Sequence, residues 1–79
     1  MEPVSGEGFS RLTARQRSIL ELIARGLTNP QIGNELHMSK HTVAQHIKEI
    51  FRRTGTVNRA DLVNQAHAVG LLHRQAGLN

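Results

Sequence analysis

Apolar residues recur along this chain at intervals of three and four. Ile19, Leu20, Ile23 and Leu27 form one such set, and Ile32 with Leu36 a second. Val43, Ile47, Ile50 and Phe51 form a third, and Leu62, Val63, Ala66 and Val69 a fourth. That spacing puts each set on one face of an α-helix, and no stretch alternates with the two-residue period of a strand. The breaks between the sets carry helix punctuation. Thr13-Ala-Arg-Gln16 and Thr28-Asn-Pro-Gln31 are capping boxes: the Thr oxygen takes an amide proton three residues on, and the Gln reaches back. Pro30 falls in a first turn, where its missing N–H is not needed. Ser39 opens the third helix, which runs to about Arg53, and Asn58 with Asp61 opens the fourth. Gly26, Gly55 and Gly70 stand where helices end. Gly33, inside the second helix, predicts a close crossing by another helix.

The pattern predicts an all-α domain of four helices over residues 12–72, with a flexible lead over 1–11 and a frayed tail over 73–79. The core is expected at Leu20, Ile23, Ile32, Leu36, Val43, Ile47, Ile50 and Val63. The second and third helices meet at the short His37-Met38 step, and the third is both amphipathic and basic. Two helices so joined form a helix-turn-helix, whose second helix can lie in the major groove of DNA.

Length limits what else the chain can be. With 79 residues it is one small domain, near the lower limit for a self-sufficient core. It contains no Cys, so disulfides, thiolate chemistry and cysteine metal sites are excluded. No apolar run is long enough to span a bilayer, and the first residues lack the basic and apolar regions of a signal peptide, so the expected location is the cytoplasm.

Charge adds a direction. Residues 1–38 hold four arginines against four glutamates and sum to zero. The net charge of +4 therefore lies in residues 39–79, mostly around the third helix. A one-sided basic cluster suits a polyanion.

On the third helix, positions 41, 44, 45, 48, 49 and 52 point away from the Val43–Ile47–Ile50 stripe, since each residue advances about 100° around the axis. Among them Gln45 can pair with adenine and Lys48 can donate to guanine or phosphate. His41, near the helix start, can reach a base edge. Asn29, Ser39 and Thr42 sit at helix starts, where capping and phosphate contact are compatible. Lys40 and Arg52 add charge for the DNA backbone. His37, His41 and His46 invite a metal reading, but their spacing puts them on a turn and on different helix faces, so no metal site and no cofactor are expected. No paired carboxylates, catalytic triad spacing or Gly-rich phosphate loop argues for an enzyme, and a domain this small has little room for a deep pocket.

The runs Leu12-Thr-Ala-Arg-Gln, Ile23-Ala-Arg-Gly-Leu-Thr-Asn, Gln31-Ile-Gly, Leu36-His-Met-Ser, Thr42-Val-Ala-Gln-His, Arg53-Thr-Gly and Gly70-Leu-Leu resemble the LuxR-type (GerE/NarL-like) DNA-binding domain. The resemblance covers about residues 12–72 without a gap. It implies four helices with a central helix-turn-helix, transcription regulation in bacteria, and a homodimer through the fourth helix, formed on DNA if not before. The fourth helix also carries more apolar surface than one side of a four-helix domain needs, at Leu62, Val63, Ala66, Val69, Leu71 and Leu72, and Leu62, Ala66 and Val69 are the expected dimer residues. Arg53 and Arg59 resemble positions near the DNA backbone, and His46 matches a family His that is either structural or a phosphate donor. The chain departs from the family at Gln16 for Glu, Gly33 for Ala, Thr54 for Leu and Ala44 for a Lys that reaches DNA. The Thr54 exchange predicts looser packing at the end of the third helix, and the Ala44 exchange shifts readout onto Gln45 and Lys48.

The expected partner is double-stranded DNA, with no membrane and no small-molecule ligand. The alternative is a protein-interaction module whose helix-turn-helix has lost DNA readout and docks on a regulator or polymerase subunit. A sigma-factor region-4-like domain is a third reading, opposed by the Leu-Thr-x-Arg start and the fourth helix. Met1 leans toward a complete small regulator over the C-terminal piece of a longer one.

Overall fold

The computed structural model describes residues 6–72, with side-chain environments from residue 7 onward. The tail over 73–79 and the first five residues of the lead lie outside the described residues. Five helices follow one another: α1 Gly6–Ser10, α2 Ala14–Ala24, α3 Asn29–Leu36, α4 Lys40–Thr54 and α5 Arg59–Ala68. There is no strand among the described residues. The last four helices correspond to the four apolar sets.

Their boundaries follow from local chemistry. Thr13 Oγ1 accepts from the Gln16 amide at 3.1 Å while Gln16 Oε1 accepts from the Thr13 amide at 3.0 Å, closing the first capping box. Thr28 and Gln31 repeat it at 3.3 and 2.8 Å. Ser39 Oγ accepts from the Thr42 amide, and Asn58 Oδ1 from the Asp61 amide. Each box satisfies amides that a helix start would leave unpaired. Gly55 ends α4 at φ 74°, in the left-handed region where a side chain would be strained.

α4 is the hub. It packs against α1, α2 and α3, while α5 packs on α2. Leu20, Ile23, Ile32, Val43, Ile47 and Ile50 are buried as expected. Leu36 and Val63 are only half-buried, packed against the rim of that core. The core also takes Phe9, Leu12, Ile19, Leu22, Leu62 and Ala66.

Three expectations change. Residues 6–10, expected within a flexible lead, form α1 and bury Phe9 to 1% exposure. The helix sits tightly on α4: a Cβ added at Gly8 would collide with the backbone carbonyl of Arg53. Gly8 is thus a contact residue, and its missing side chain allows the approach.

Gly33 likewise makes a close contact, but with the turn and not with another helix. A Cβ there would meet the Met38 carbonyl oxygen. The turn folds back over it because His37 takes the left-handed conformation, φ 59° and ψ 49°, and the Met38 amide donates to the Gly33 carbonyl at 2.9 Å.

The end of α4 is well packed despite Thr54. Its hydroxyl is buried, donates to the Ile50 carbonyl at 2.8 Å, and accepts from the Thr56 hydroxyl at 2.9 Å. Two polar side chains thereby close on each other and on the helix, so neither is left unpaired in the interior.

Candidate nucleic-acid interface

Burial of Val43, Ile47 and Ile50 turns the opposite side of α4 to solvent. His41, Ala44, Gln45, Lys48 and Arg52 are exposed along that side. The expected readout residues His41, Gln45 and Lys48 therefore share one outward face. Lys40 is exposed at the helix start beside Ser39. Ser39 and Thr42 are engaged with each other: the Ser39 oxygen takes the Thr42 amide proton at 3.1 Å and donates to the Thr42 hydroxyl at 3.1 Å. The capping role at the positive end of the helix is thereby filled.

The arginines are more occupied than the sequence suggests. Arg52 Nε donates to Glu49 Oε1 at 3.0 Å, and a second Arg52 nitrogen to Oε2. Arg53 Nε donates to that same Oε2 at 2.8 Å. The two guanidinium groups hold the Glu49 carboxyl down at about 2, chiefly through the Arg52 and then the Arg53 hydrogen bond, and Glu49 in turn raises Arg52. Glu49, assigned no role from the sequence, is the acidic centre of this flank. Its position three residues before Arg52 and four before Arg53 is the signal that could have found it. Arg53 also donates to the Arg11 carbonyl at 3.0 Å, tying α4 to the segment after α1.

Arg59 serves the scaffold as well. One nitrogen donates to the Leu27 carbonyl at 3.1 Å and another to the Asn29 side-chain oxygen. The start of α5 is thereby latched to the start of α3, and Asn29 faces Arg59. His46 is half-buried on the flank of α4.

The expected dimer residues separate. Leu62 and Ala66 have no exposed surface: both are packed in the chain's own core against α2. They cannot meet a second copy without unfolding the first, so that assignment is corrected. Val69 is 37% exposed, and α5 otherwise presents Asn64, His67 and Ala68.

A groove of about 780 Å³ runs beside the exposed face of α4. Ala44, Lys48 and Phe51 form one wall, and Val57 with Arg59 the other. Val57 is 78% exposed. Its position outside every helical set is the only sequence sign of it. No group of three His, Cys, Asp or Glu side chains comes together among the described residues. Nor is any helix among them long and apolar enough to cross a membrane.

The profile of the bacterial regulatory proteins of the luxR family matches residues 10–66, the span that holds α2 to α4 and most of α5. The chain belongs to this family. LuxR-family membership makes it a helix-turn-helix domain of the kind found in DNA-binding transcription regulators, with α3 and α4 as the two helices. Its relatives are regulators too. It is 36% identical over 63 residues to the HTH-type transcriptional regulator AlkS of Alcanivorax borkumensis, covering 80% of this chain and 7% of that protein. It is 39% identical over 54 residues to the monoamine regulon transcriptional regulator of Klebsiella aerogenes, covering 68% and 24%. It is 39% identical over 57 residues to the HTH-type transcriptional regulator MalT of Yersinia pestis, covering 72% and 6%. The chain thus spans a quarter or less of each of these relatives. None of them is named as an enzyme.

Proposed function

We propose that this domain binds double-stranded DNA in a sequence-specific way, with α4 in the major groove, and so directs a cytoplasmic transcription regulator to its sites. One observation carries the reading: His41, Gln45 and Lys48 are exposed on one face of α4, directly opposite the buried Val43–Ile47–Ile50 stripe. An α-helix fits the major groove, and Gln and Lys are side chains that read base edges there. Gln45 pairs with an adenine, Lys48 with a guanine or phosphate, and His41 with the base or phosphate nearest the helix start. Lys40, Arg52, Thr42 and the amides at the α4 start hold the backbone. Arg53, Arg59, Asn29 and His46 flank them, and in the two arginines any phosphate contact is combined with holding the scaffold.

Two copies bind side by side, with the exposed flank of α5 between them. That flank is small: Asn64 and His67 are polar, and its apolar part is the Ala68 methyl and Val69 at its end. So little apolar area supports pairing only once DNA holds the copies together.

Duplexes selected from a random pool test the reading. Gln45→Ala is expected to lose preference at one base position, at about 1–3 kcal/mol on the best site and little on random DNA. Lys48→Ala is expected to weaken that site too. If Gln45→Ala, Lys48→Ala and Arg52→Ala all keep wild-type affinity at low salt, α4 is not a recognition helix. The docking-module reading then replaces this one.

A further inference from the structure

We propose that Ala44 reads the 5-methyl group of a thymine, which makes it a specificity-determining residue of the α4 face. The inference rests on the placement of α4 in the major groove proposed above. The outward side of α4 is mostly polar or charged, at His41, Gln45, Lys48 and Arg52, and Ala44 is its one exposed apolar member. The Ala44 methyl group stands at the edge of the groove whose far wall is Val57, 78% exposed. Lys48 lies one turn beyond Ala44 on the same ridge and also lines the groove.

The major-groove edges of the four bases differ in one apolar group, the thymine C5-methyl, and Ala is among the side chains that contact it. A longer side chain at position 44 would fill the near wall and hold the base away. With Ala, the base edge can come down to the helix, and the methyl passes into a recess with Val57 behind it. Lys48 supplies charge just past that point, so the contact keeps an anionic backbone alongside. Gln45, the next residue, is exposed about 100° further around the same outward side. The thymine is therefore expected at or next to the base pair that Gln45 reads.

The test replaces each thymine of a selected duplex, one at a time, with deoxyuracil, which removes only the methyl group. For the wild-type chain, one such replacement is expected to weaken binding about three- to ten-fold, the scale of one lost methyl contact. Ala44→Ser keeps the size of the side chain but presents a hydroxyl, and Ala44→Gly removes the contact altogether. In both variants that same replacement should change binding less than two-fold, with helix content checked by circular dichroism. If no thymine responds to loss of its methyl, or if the response is as large in both variants as in the wild type, the proposal fails while DNA binding stands. Absence of any salt-dependent duplex binding overturns the proposal together with the reading beneath it.

Discussion

Arg59, at the start of α5, donates from its guanidinium to the Leu27 carbonyl at 3.1 Å, across 32 positions of chain. Its other nitrogen reaches the Asn29 side chain in the first turn of α3. This latch fixes the entry to the helix-turn-helix relative to α5. Arg59→Ala is expected to destabilise the domain by about 1–3 kcal/mol, because a charge-assisted pair is lost and the Leu27 carbonyl loses its donor. DNA affinity should fall on all sequences alike, and the salt slope by about 1 if a phosphate contact goes with it. A thermal melt together with a salt titration separates the two effects. An unshifted melt would show that the latch contributes nothing to stability.

Phe9 and Ile47 test the two sides of the core. Phe9 is 1% exposed in α1, and Ile47 is 6% exposed at the centre of α4. Phe9→Ala should cost about 3–5 kcal/mol and Ile47→Ala about 2–5 kcal/mol by loss of burial and creation of a cavity. Either is a large share of the stability available to a domain of this size. Chemical denaturation measures both. A Phe9→Ala midpoint equal to wild type would mean that α1 is dispensable to the fold.

Val69 tests pairing on DNA. Leu62 and Ala66 lie inside the core, so Val69 is the large exposed apolar residue left at the C-terminal cap of α5. Val69→Glu is expected to reduce cooperativity on a duplex with two half-sites about one turn apart, and to leave binding to a single half-site unchanged. Equal cooperativity in the variant would remove Val69 from the contact.

Glu49 sets a pH expectation. Its carboxyl lies at about 2 against a usual 4.5, held down by hydrogen bonds from Arg52 and Arg53. A folded-state value below the unfolded one means that the pairing contributes fully above about 4.5 and is lost as pH falls toward 2. Because the group is exposed, the effect on stability is small and salt-sensitive. A carboxyl NMR titration should place Glu49 well below its usual value of 4.5, and a midpoint near 4.5 would show that the pairs do not persist in solution. Glu49→Gln should also release both arginines, strengthening binding to random DNA and steepening its salt dependence.

The four principal helices and their starts were legible because helix-forming information is local. A Thr or Asn oxygen caps amides two or three residues away, and apolar side chains three and four apart share a face whatever lies opposite. Thr13, Thr28, Ser39 and Asn58 therefore fell where the caps are, and Val43, Ile47 and Ile50 fell inside. The outward face of α4 followed by subtraction, which is why His41, Gln45 and Lys48 could be named together.

What stayed hidden depends on contacts between residues far apart in the chain. The glycines around α1 look like flexibility until Arg53 is found against Gly8. Helical spacing says that Leu62 and Ala66 share a face, but not that α2 covers it, so surplus apolar surface and core look alike in a linear pattern. Arg53 and Arg59 look like free charges because their partners, the carbonyls of Arg11 and Leu27, exist at every residue and carry no signal of their own. The groove beside Ala44 needs Val57 brought back across α4, and no spacing rule links those two positions. Local periodicity sets which face of each helix is apolar; packing sets which of those faces meet, and so which side chains remain for a partner.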